Sequence, residues 1–474
     1  MRDSTYASLA AVCIGVANLF MWAGYDCQVF IVESVMHSIH ARRPEDAGAH
    51  DGYYGMAVLT LAFMFGNFFA PSLSHILRPK WICSICTCCF IFYFLCFQFL
   101  HRVVFFSACI ILGSALAMWN VGYNGYLLQI STRQTLEHTQ ALSWLATSFS
   151  ILSAGVLYWV VTAMGEASGI TTDTGYRDYS DTEIRWFFAA YAGCAIVGLV
   201  IFLLLPNRDV ANSINSNRNK DVTLKESFGL IFSTLTHKRT LLLFPFYIYT
   251  GMYLSFWLNV FPTTIQFTKA LSHHIYLPAY FGIVFTLGSV IMSGVTIFLS
   301  KRMTNFGLRP CMTINAVTHV LTFALIVVSV PGWSTVEPND GASLLIQPNV
   351  ATNLIIAFLF GIGDAANNTA RTVMTSLIIP ESKTQSVSVS RIFHACAGST
   401  MLFLASGITV YTYMTVLSVV LIAAYISFWV ASGLAMAEHR KESAVTPPTI
   451  EAMKAAYENM SMVKEKEGGV KHIL

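Results

Sequence analysis

The chain has 474 residues, of which 55% are hydrophobic and only 11% are charged, with a net charge of +3. Its mean hydropathy is +0.59. A soluble domain carries roughly a quarter of its residues as charged side chains, so the charge present here cannot cover a water-facing surface of this size. The composition excludes a soluble protein and makes lipid the solvent for much of the chain.

Long apolar runs, taken in chain order, indicate the architecture. A helix that spans the bilayer needs roughly 20 mainly apolar residues. The sequence predicts an all-α polytopic membrane protein with about twelve transmembrane helices, near 7–31, 53–74, 81–99, 103–130, 141–163, 186–206, 240–262, 276–300, 310–330, 352–379, 386–410 and 412–436. The first run is too long for the apolar core of a signal peptide, so we expect it to remain as the first span.

Basic residues predict the orientation. Most of the 28 lysines and arginines fall in one set of alternate loops. The positive-inside rule assigns that set, together with both termini, to the cytosol. We expect a multi-pass protein of the plasma membrane or of an endosomal or lysosomal membrane, with the lipid bilayer as its first partner.

The spans fall into two sets of six. The predicted parts are an N-terminal six-helix bundle, a polar and basic cytosolic linker, a C-terminal six-helix bundle and a cytosolic tail, at 1–206, 207–238, 239–437 and 438–474. An internal repeat supports the division, because the segment 139–143 (TQALS) returns as 384–388 (TQSVS). Two pseudo-symmetric six-helix bundles with a linker between them are the architecture of the major facilitator superfamily.

Short motifs, mainly in the first half, provide a family resemblance. They are 25–28 (YDCQ), 52–56 (GYYGM), 71–73 and 79–81 (PSL and PKW), and Trp119, Gly122 and Tyr126. On these residues the chain resembles the UNC-ninety-three (uncoordinated) family, a divergent branch of the major facilitator superfamily. Members of that family act on potassium channels or escort membrane receptors. The resemblance therefore implies a non-enzymatic regulatory or trafficking subunit of an ion channel, such as a potassium channel, or of a membrane receptor.

The loops that control rocking in transporters of the superfamily are altered in this chain. The segment 74–78 (SHILR) lacks the Asp of the superfamily motif, and the equivalent segment 300–310 keeps basic residues but also has no Asp. This decay favours the regulatory function. The alternative is a secondary transporter that moves a small solute or ion by alternating access.

The tenth span contains a polar stripe. Asp364, Asn367, Asn368 and Arg371 are spaced so that all four lie on one helix face. A charged residue at the centre of a spanning helix costs ~2.5–3.5 kcal/mol on insertion scales. The stripe therefore predicts either the lining of a central cavity or an internal network that ties helices together. We expect Asp364 to be compensated by Arg371 or by Arg391.

Other spans add further candidates for the cavity. Asn120 and Asn124 form a milder stripe on the fourth span, which would face the tenth across the cavity. Asp26 lies near the predicted outer end of the first span, where a solvated vestibule position is favoured over ligand contact. Arg391 and His394 share a face of the eleventh span. A hydrogen-bonded packing role is favoured for this histidine over that of a proton carrier.

The remaining motifs are weak. Tyr457 and Met460 fit a tyrosine-based sorting motif in the tail, although an ordinary helix face is favoured. Cys83 and Cys86 form a Cys-x-x-Cys pair, but the surrounding stretch is apolar and no second pair follows, so we expect no metal site. No phosphate loop, dinucleotide fingerprint or nucleophile elbow is present. We therefore predict that the protein is not an enzyme and uses no cofactor.

Overall fold

A computed structural model describes residues 3–73, 77–132, 135–166, 176–206, 208, 210, 213, 224–300, 302–303, 305–379 and 383–445. Within these ranges the chain forms helices and no strand, apart from one isolated bridge between Thr268 and Asn339. Twelve of the described helices are long and apolar enough to cross a membrane. The predicted all-α polytopic fold is confirmed.

The helices follow the predicted spans. Spans one to six are Asp3–Arg42, Asp51–Leu73, Pro79–Leu95, Arg102–Ile130, the pair Leu136–Thr147 and Ser150–Glu166, and Asp181–Leu204. Spans seven to twelve are Lys238–Ser255 with its continuation to Phe267, Leu277–Ser300, Arg309–Ser329, Val350–Ile378, Lys383–Leu404 and Val410–Val445. One further helix, Leu224–Leu235, precedes the seventh span, and we call it the linker helix.

The two halves repeat one packing pattern. In the first half the first span packs against the fifth and sixth, the second against the fourth, and the third against the fourth and sixth. The second half repeats each of these pairs six spans later along the chain. The halves meet mainly where the second span packs on the eleventh and the fifth packs on the eighth. These contacts give the two pseudo-symmetric six-helix bundles that the sequence predicts.

Small residues bring the helices close together. In lipid there is little hydrophobic force between helices, so small residues at a crossing allow backbone contact. A Cβ atom at Gly288 of the eighth span would collide with the carbonyl oxygen of Phe358 of the tenth. A Cβ atom at Gly361 would collide with the carbonyl oxygen of Phe285 in the same way. The eighth and tenth spans therefore cross at a distance that only glycine permits.

Three helices differ in detail from the predicted spans. The first helix continues to Arg42, well past the predicted end near residue 31. The fifth span is interrupted between Thr147 and Ser150. The seventh contains a π-helical segment, Phe256–Val260, and such segments often occur at functional sites.

We call the end of the bundle that holds the loops 43–50 and 330–349 the outer end, after the orientation predicted from the basic residues. Neutral hydrogen bonds join the two halves there, and we call this set the outer seal. They run from Tyr53 to the Thr335 carbonyl (2.8 Å), between Tyr54 and Ser406 (2.9 Å), from Gln266 to the Phe30 carbonyl (2.7 Å), from Tyr179 to Gln266 (2.8 Å) and from Ser399 to the Ala57 carbonyl (2.8 Å).

The linker helix bridges the halves at the opposite, inner end. Ile231 is buried against Val389 and Ile392 of the eleventh span, and Met64 and Phe68 of the second span pack on the same cluster. The sequence predicts only a polar linker at 207–238, so this helix differs from the prediction. The fourth and tenth spans, in contrast, do not pack along one another.

Candidate functional site

The tenth span, Val350–Ile378, holds the predicted polar stripe. Asn349 caps its first turn by accepting hydrogen bonds from the Thr352 backbone N–H (2.9 Å) and hydroxyl (3.0 Å). The crossing with the eighth span fixes the helix just before Asp364. Good capping and close packing make this helix a rigid support, so the positions of its polar side chains are well defined.

Three members of the stripe form a hydrogen-bonded chain. The Asn368 amide donates to a carboxylate oxygen of Asp364 (2.8 Å), and the Arg371 guanidinium donates to the Asn368 side-chain oxygen (3.0 Å). Asn368 thus bridges the acid and the base, which make no direct ion pair. A bridging amide keeps both charges solvated by protein dipoles inside the membrane.

Asn367 behaves differently from the other three residues. Its side chain is buried, and its side-chain oxygen has no hydrogen-bond partner among the described residues. A buried amide oxygen without a partner is unusual in a native fold. The four residues therefore share one helix face without forming one closed network.

The π-helical segment of the seventh span lies beside Asp364. Trp257 is close enough to interact with the Asp364 carboxylate, but its indole N–H makes no hydrogen bond of normal geometry within the described chain. Tyr253, one turn earlier, donates to the Phe360 carbonyl (3.3 Å). Neither Trp257 nor Tyr253 was predicted from the sequence as part of this site. The only available signal was the run of aromatic residues before Pro262, which also fits ordinary packing.

A buried histidine lies behind the stripe. Tyr249 hydrogen-bonds to His319 Nδ1, and a Cβ atom at Gly363 would collide with His319 Nε2. The ring of His319 also lies 3.9 Å, centroid to centroid, from that of Tyr253. Gly363 therefore allows the ninth span to pack directly on the helix that holds Asp364.

Arg391 and His394 project from the eleventh span near the same region. His394 Nδ1 lies 3.2 Å from the Thr250 hydroxyl of the seventh span, a contact typical of a packing histidine. Arg391 is near Arg371 and His394. It makes no hydrogen bond or ion pair with Asp364. Arg371, rather than Arg391, is therefore the base linked to the acid, through Asn368.

The asparagines of the fourth span are not brought against the tenth. Asn120 donates to the Leu116 carbonyl (3.0 Å) and Asn124 to the Asn120 carbonyl (2.7 Å), so both amides bond to their own helix. Asn124 is exposed. An exposed amide within a spanning helix is far better solvated by water than by lipid. The predicted opposing stripe thus has exposed polar groups, but it makes no contact with Asp364.

The predicted vestibule position of Asp26 is wrong. Its side chain is buried, and the Ser150 hydroxyl donates to its carboxylate (2.6 Å). Because the first helix extends to Arg42, Asp26 lies well inside that helix rather than at its outer end. The contact joins the first and fifth spans within one half.

Two further candidates cannot be placed in the fold. Tyr457 and Met460 lie outside the described residues. In the described part of the chain, no three His, Cys, Asp or Glu side chains lie together as a metal site would require.

A family model described as "Ion channel regulatory protein UNC-93" matches residues 43–429. The chain belongs to the UNC-93 family. Among curated relatives, the UNC93-like protein MFSD11 of Xenopus laevis is 24% identical over 452 residues, which cover 90% of this chain and 97% of that protein. The resemblance seen in the short motifs is therefore confirmed.

Solved structures show the same fold for this UNC-93 family member. The nucleoside transporter NupG has a TM-score of 0.58 at 15% identity, covering 90% of this chain and 98% of that chain. The inward open conformation of the xylose transporter XylE from E. coli has a TM-score of 0.60 at 12% identity, covering 90% and 96%. At such identities the likeness concerns the fold alone, which is that of the major facilitator superfamily.

Proposed function

We propose that this protein is a non-enzymatic regulatory or trafficking subunit for another membrane protein, an ion channel such as a potassium channel or a receptor. The main support is the chemistry of the contact between the halves. The outer seal consists of neutral hydrogen bonds. Among the described residues, every ion pair lies within one half or joins the first half to the start of the linker.

This arrangement matters because alternating access needs a ligand or ion that binds differently to two states. Ion pairs that break and re-form between the halves are one way to couple such a change to charge. The hydrogen bonds of the outer seal include no such ion pair, which favours one stable conformation. A subunit that acts by presenting a membrane-facing surface to its partner needs only one stable conformation.

The altered loop of the second half supports the same proposal. Arg309 donates to the Ser432 hydroxyl (3.1 Å) and to the Trp429 carbonyl (3.0 Å), and its guanidinium lies 4.5 Å from the Trp429 ring centroid. All of these contacts stay between the ninth and twelfth spans. This arginine stabilises its own half, and its contacts with described residues include none across the halves that could control rocking.

Co-expression tests the proposal. The full chain is expressed with a panel of potassium channels and receptors, and whole-cell current, surface biotinylation and co-purification are measured. At least one partner should co-purify and change in surface level or current. An unrelated twelve-span transporter expressed at the same level is the control. Failure of every partner to co-purify or respond would contradict the proposal.

A secondary transporter is the second candidate, and the tenth span favours it. The chain Asp364–Asn368–Arg371 and the exposed Asn124 lie on spans that do not pack together. Flux in proteoliposomes under potassium and proton gradients separates the two candidates. Asp364→Asn should abolish flux in a transporter, whereas Asp340→Asn, at an exposed carboxylate paired with Lys269, should not. Flux with this pattern, and no effect on any partner, would favour transport.

A further inference from the structure

A short non-helical segment, 176–180, leads into the sixth span at the outer end, and we call it the outer strap. Its side chains alternate in burial, because Arg177 and Tyr179 are buried whereas the other three are partly exposed. Alternation with a period of two is typical of an extended backbone that has one face on protein. The outer strap therefore lies along the bundle and presents two side chains to it.

A buried ion pair holds the outer strap to its own half. Arg177 pairs with Glu183 of the sixth span, and the two residues are only 5% and 4% exposed. The Arg177 guanidinium also lies 4.9 Å from the ring centroid of Tyr179. The Tyr179 backbone N–H donates to the hydroxyl of Ser38 on the first span (3.1 Å). These contacts fix the position of both buried strap residues.

The same two residues reach the second half through Gln266, near the end of the seventh span. The Arg177 backbone N–H donates to the Gln266 backbone carbonyl (3.2 Å), and the Tyr179 hydroxyl donates to the Gln266 side-chain oxygen (2.8 Å). The Gln266 amide in turn donates to the Phe30 carbonyl of the first span (2.7 Å). One buried residue of the second half is therefore hydrogen-bonded to the outer strap twice and to the first span once.

Ring contacts join the same three parts of the chain. The ring of His37, on the first span, lies 5.3 Å from that of Tyr176 and 5.1 Å from that of Phe267, between centroids. The rings of Tyr176 and Phe267 are themselves 6.4 Å apart. The outer strap thus contacts the second half by packing as well as by hydrogen bonds.

We propose that the outer strap is a lock that holds the outer ends of the two halves together, with the Arg177–Glu183 pair as its anchor. Separation of the halves must break the bonds to Gln266, which leaves a buried amide without partners. The outer strap cannot move away with Gln266, because one member of a buried ion pair would then lose its counter-charge. A charged pair inside one half thereby supports a seal whose own hydrogen bonds are neutral. The inference concerns conformation, so it does not depend on whether the protein regulates a partner.

The test measures how fast cysteines placed under the lock react with a thiol reagent in the full chain, purified in detergent. Ser38→Cys puts a thiol beneath the outer strap, and Ser399→Cys puts one in the outer seal; both serines are buried. Each is made in a background without native cysteines, and labelling in denaturant gives the total reactive thiol. Both sites should react slowly when the lock is intact. Detergent leaves both ends accessible, so the result does not depend on the predicted orientation.

Two variants break the lock at different points. Glu183→Gln removes the charge that pairs with Arg177, and Gln266→Leu removes the side chain that joins the outer strap to the second half. Each should raise the labelling rate at both cysteines by about tenfold or more, because the loss of these contacts increases the population of the open state. A rise at Ser38→Cys alone would show that the outer strap can lift while the halves stay together, which would overturn the proposal.

A milder variant and a control complete the test. Tyr179→Phe keeps the ring and removes only the hydroxyl, so it should raise both rates by a smaller factor, and it decides the question if the other variants do not fold. Arg43→Gln is the matched control, because Arg43 pairs with Asp46 and Asp181 at the surface of the same end, where such pairs contribute little. It should label as wild type. Unchanged labelling of Ser399→Cys in the strap variants, or an equal rise in Arg43→Gln, would overturn the proposal.

Discussion

At the scale of single residues, a histidine at the outer end links stability to pH. His50 Nδ1 lies 3.1 Å from a carboxylate oxygen of the buried Glu33, whose other oxygen accepts from the Tyr53 backbone N–H (2.7 Å). The hydrogen bond to Glu33 raises the pKa of His50 above its ordinary value of 6.5. Burial lowers this pKa by a smaller amount, and the negative charges of Glu33, Asp51 and Glu337 raise it further.

The sign of the pH effect follows from this shift. Because the pKa of His50 is higher in the folded state than in the unfolded state, its contact with Glu33 stabilises the fold fully below about pH 6.5. This stabilisation is lost as the pH rises through the folded-state pKa. We predict that unfolding in detergent shows this loss of stability as the pH rises, and that His50→Gln removes it. His273→Gln, at an exposed histidine of another outer loop, is the control. An unchanged pH profile in His50→Gln would contradict the assignment.

The polar stripe gives a second prediction at this scale. Because Asn368 bridges Asp364 and Arg371, the variants Asp364→Asn and Arg371→Gln should couple by about 0.5–3 kcal/mol in a double-mutant cycle. The coupling should shrink in an Asn368→Ala background. A matching cycle with Arg391→Gln should give a coupling near zero. Strong coupling of Asp364 to Arg391 would show that the wrong arginine was assigned.

The stripe could be predicted from sequence because helical spacing alone puts these four residues on one face. The bridge could not, because rotamers decide whether an acid and a base meet directly or through an amide. The interaction with Trp257 depends on a π-helical segment. Helical spacing alone does not predict such a segment.

At the scale of helices, glycines determine how closely the spans approach. Gly288→Ala should destabilise the protein by about 1–3 kcal/mol, because its Cβ atom would collide with a backbone carbonyl that cannot move alone. Gly294, on the same helix, has open space around it. Gly294→Ala should be neutral or stabilising by up to about 1 kcal/mol. Thermal unfolding in detergent measures both, and equal effects would contradict the crossing.

Helix number and type were predictable because bilayer thickness sets a minimum length for each apolar run. Helix ends were less predictable. The first helix reaches Arg42 since its last turns are covered by protein: Arg42 donates to Asp178 (2.9 Å), Asp181 (2.9 Å) and the Tyr179 carbonyl (2.6 Å). A hydropathy profile does not detect such contacts. The predicted first span therefore ends too early, and Asp26 was placed too close to its outer end. The linker helix has only 12 residues, too few to cross the bilayer, so a search for membrane-spanning runs does not find it.

At the scale of the whole molecule, orientation remains a prediction from basic residues. Single cysteines placed in the segments 207–238 and 166–183, in a background without native cysteines, test it. An impermeant thiol reagent applied to intact cells that express the chain at their surface should label only the 166–183 site. Labelling after permeabilisation shows that the other cysteine is reactive. Labelling of 207–238 in intact cells would reverse the orientation and the meaning of outer and inner ends.

The central claim is that the protein acts on a partner while the outer seal stays closed. Tyr54 and Ser406, whose hydroxyls lie 2.9 Å apart across the halves, are replaced by cysteine in a background without native cysteines. The two cysteines are joined by a short bis-methanethiosulfonate cross-linker, whose disulfide bonds can be reduced. Current and surface level of the co-expressed partner are measured before cross-linking, after it and after reduction. The account predicts that the effect on the partner persists with the halves locked together. Loss of the effect on cross-linking, with recovery on reduction, would contradict it.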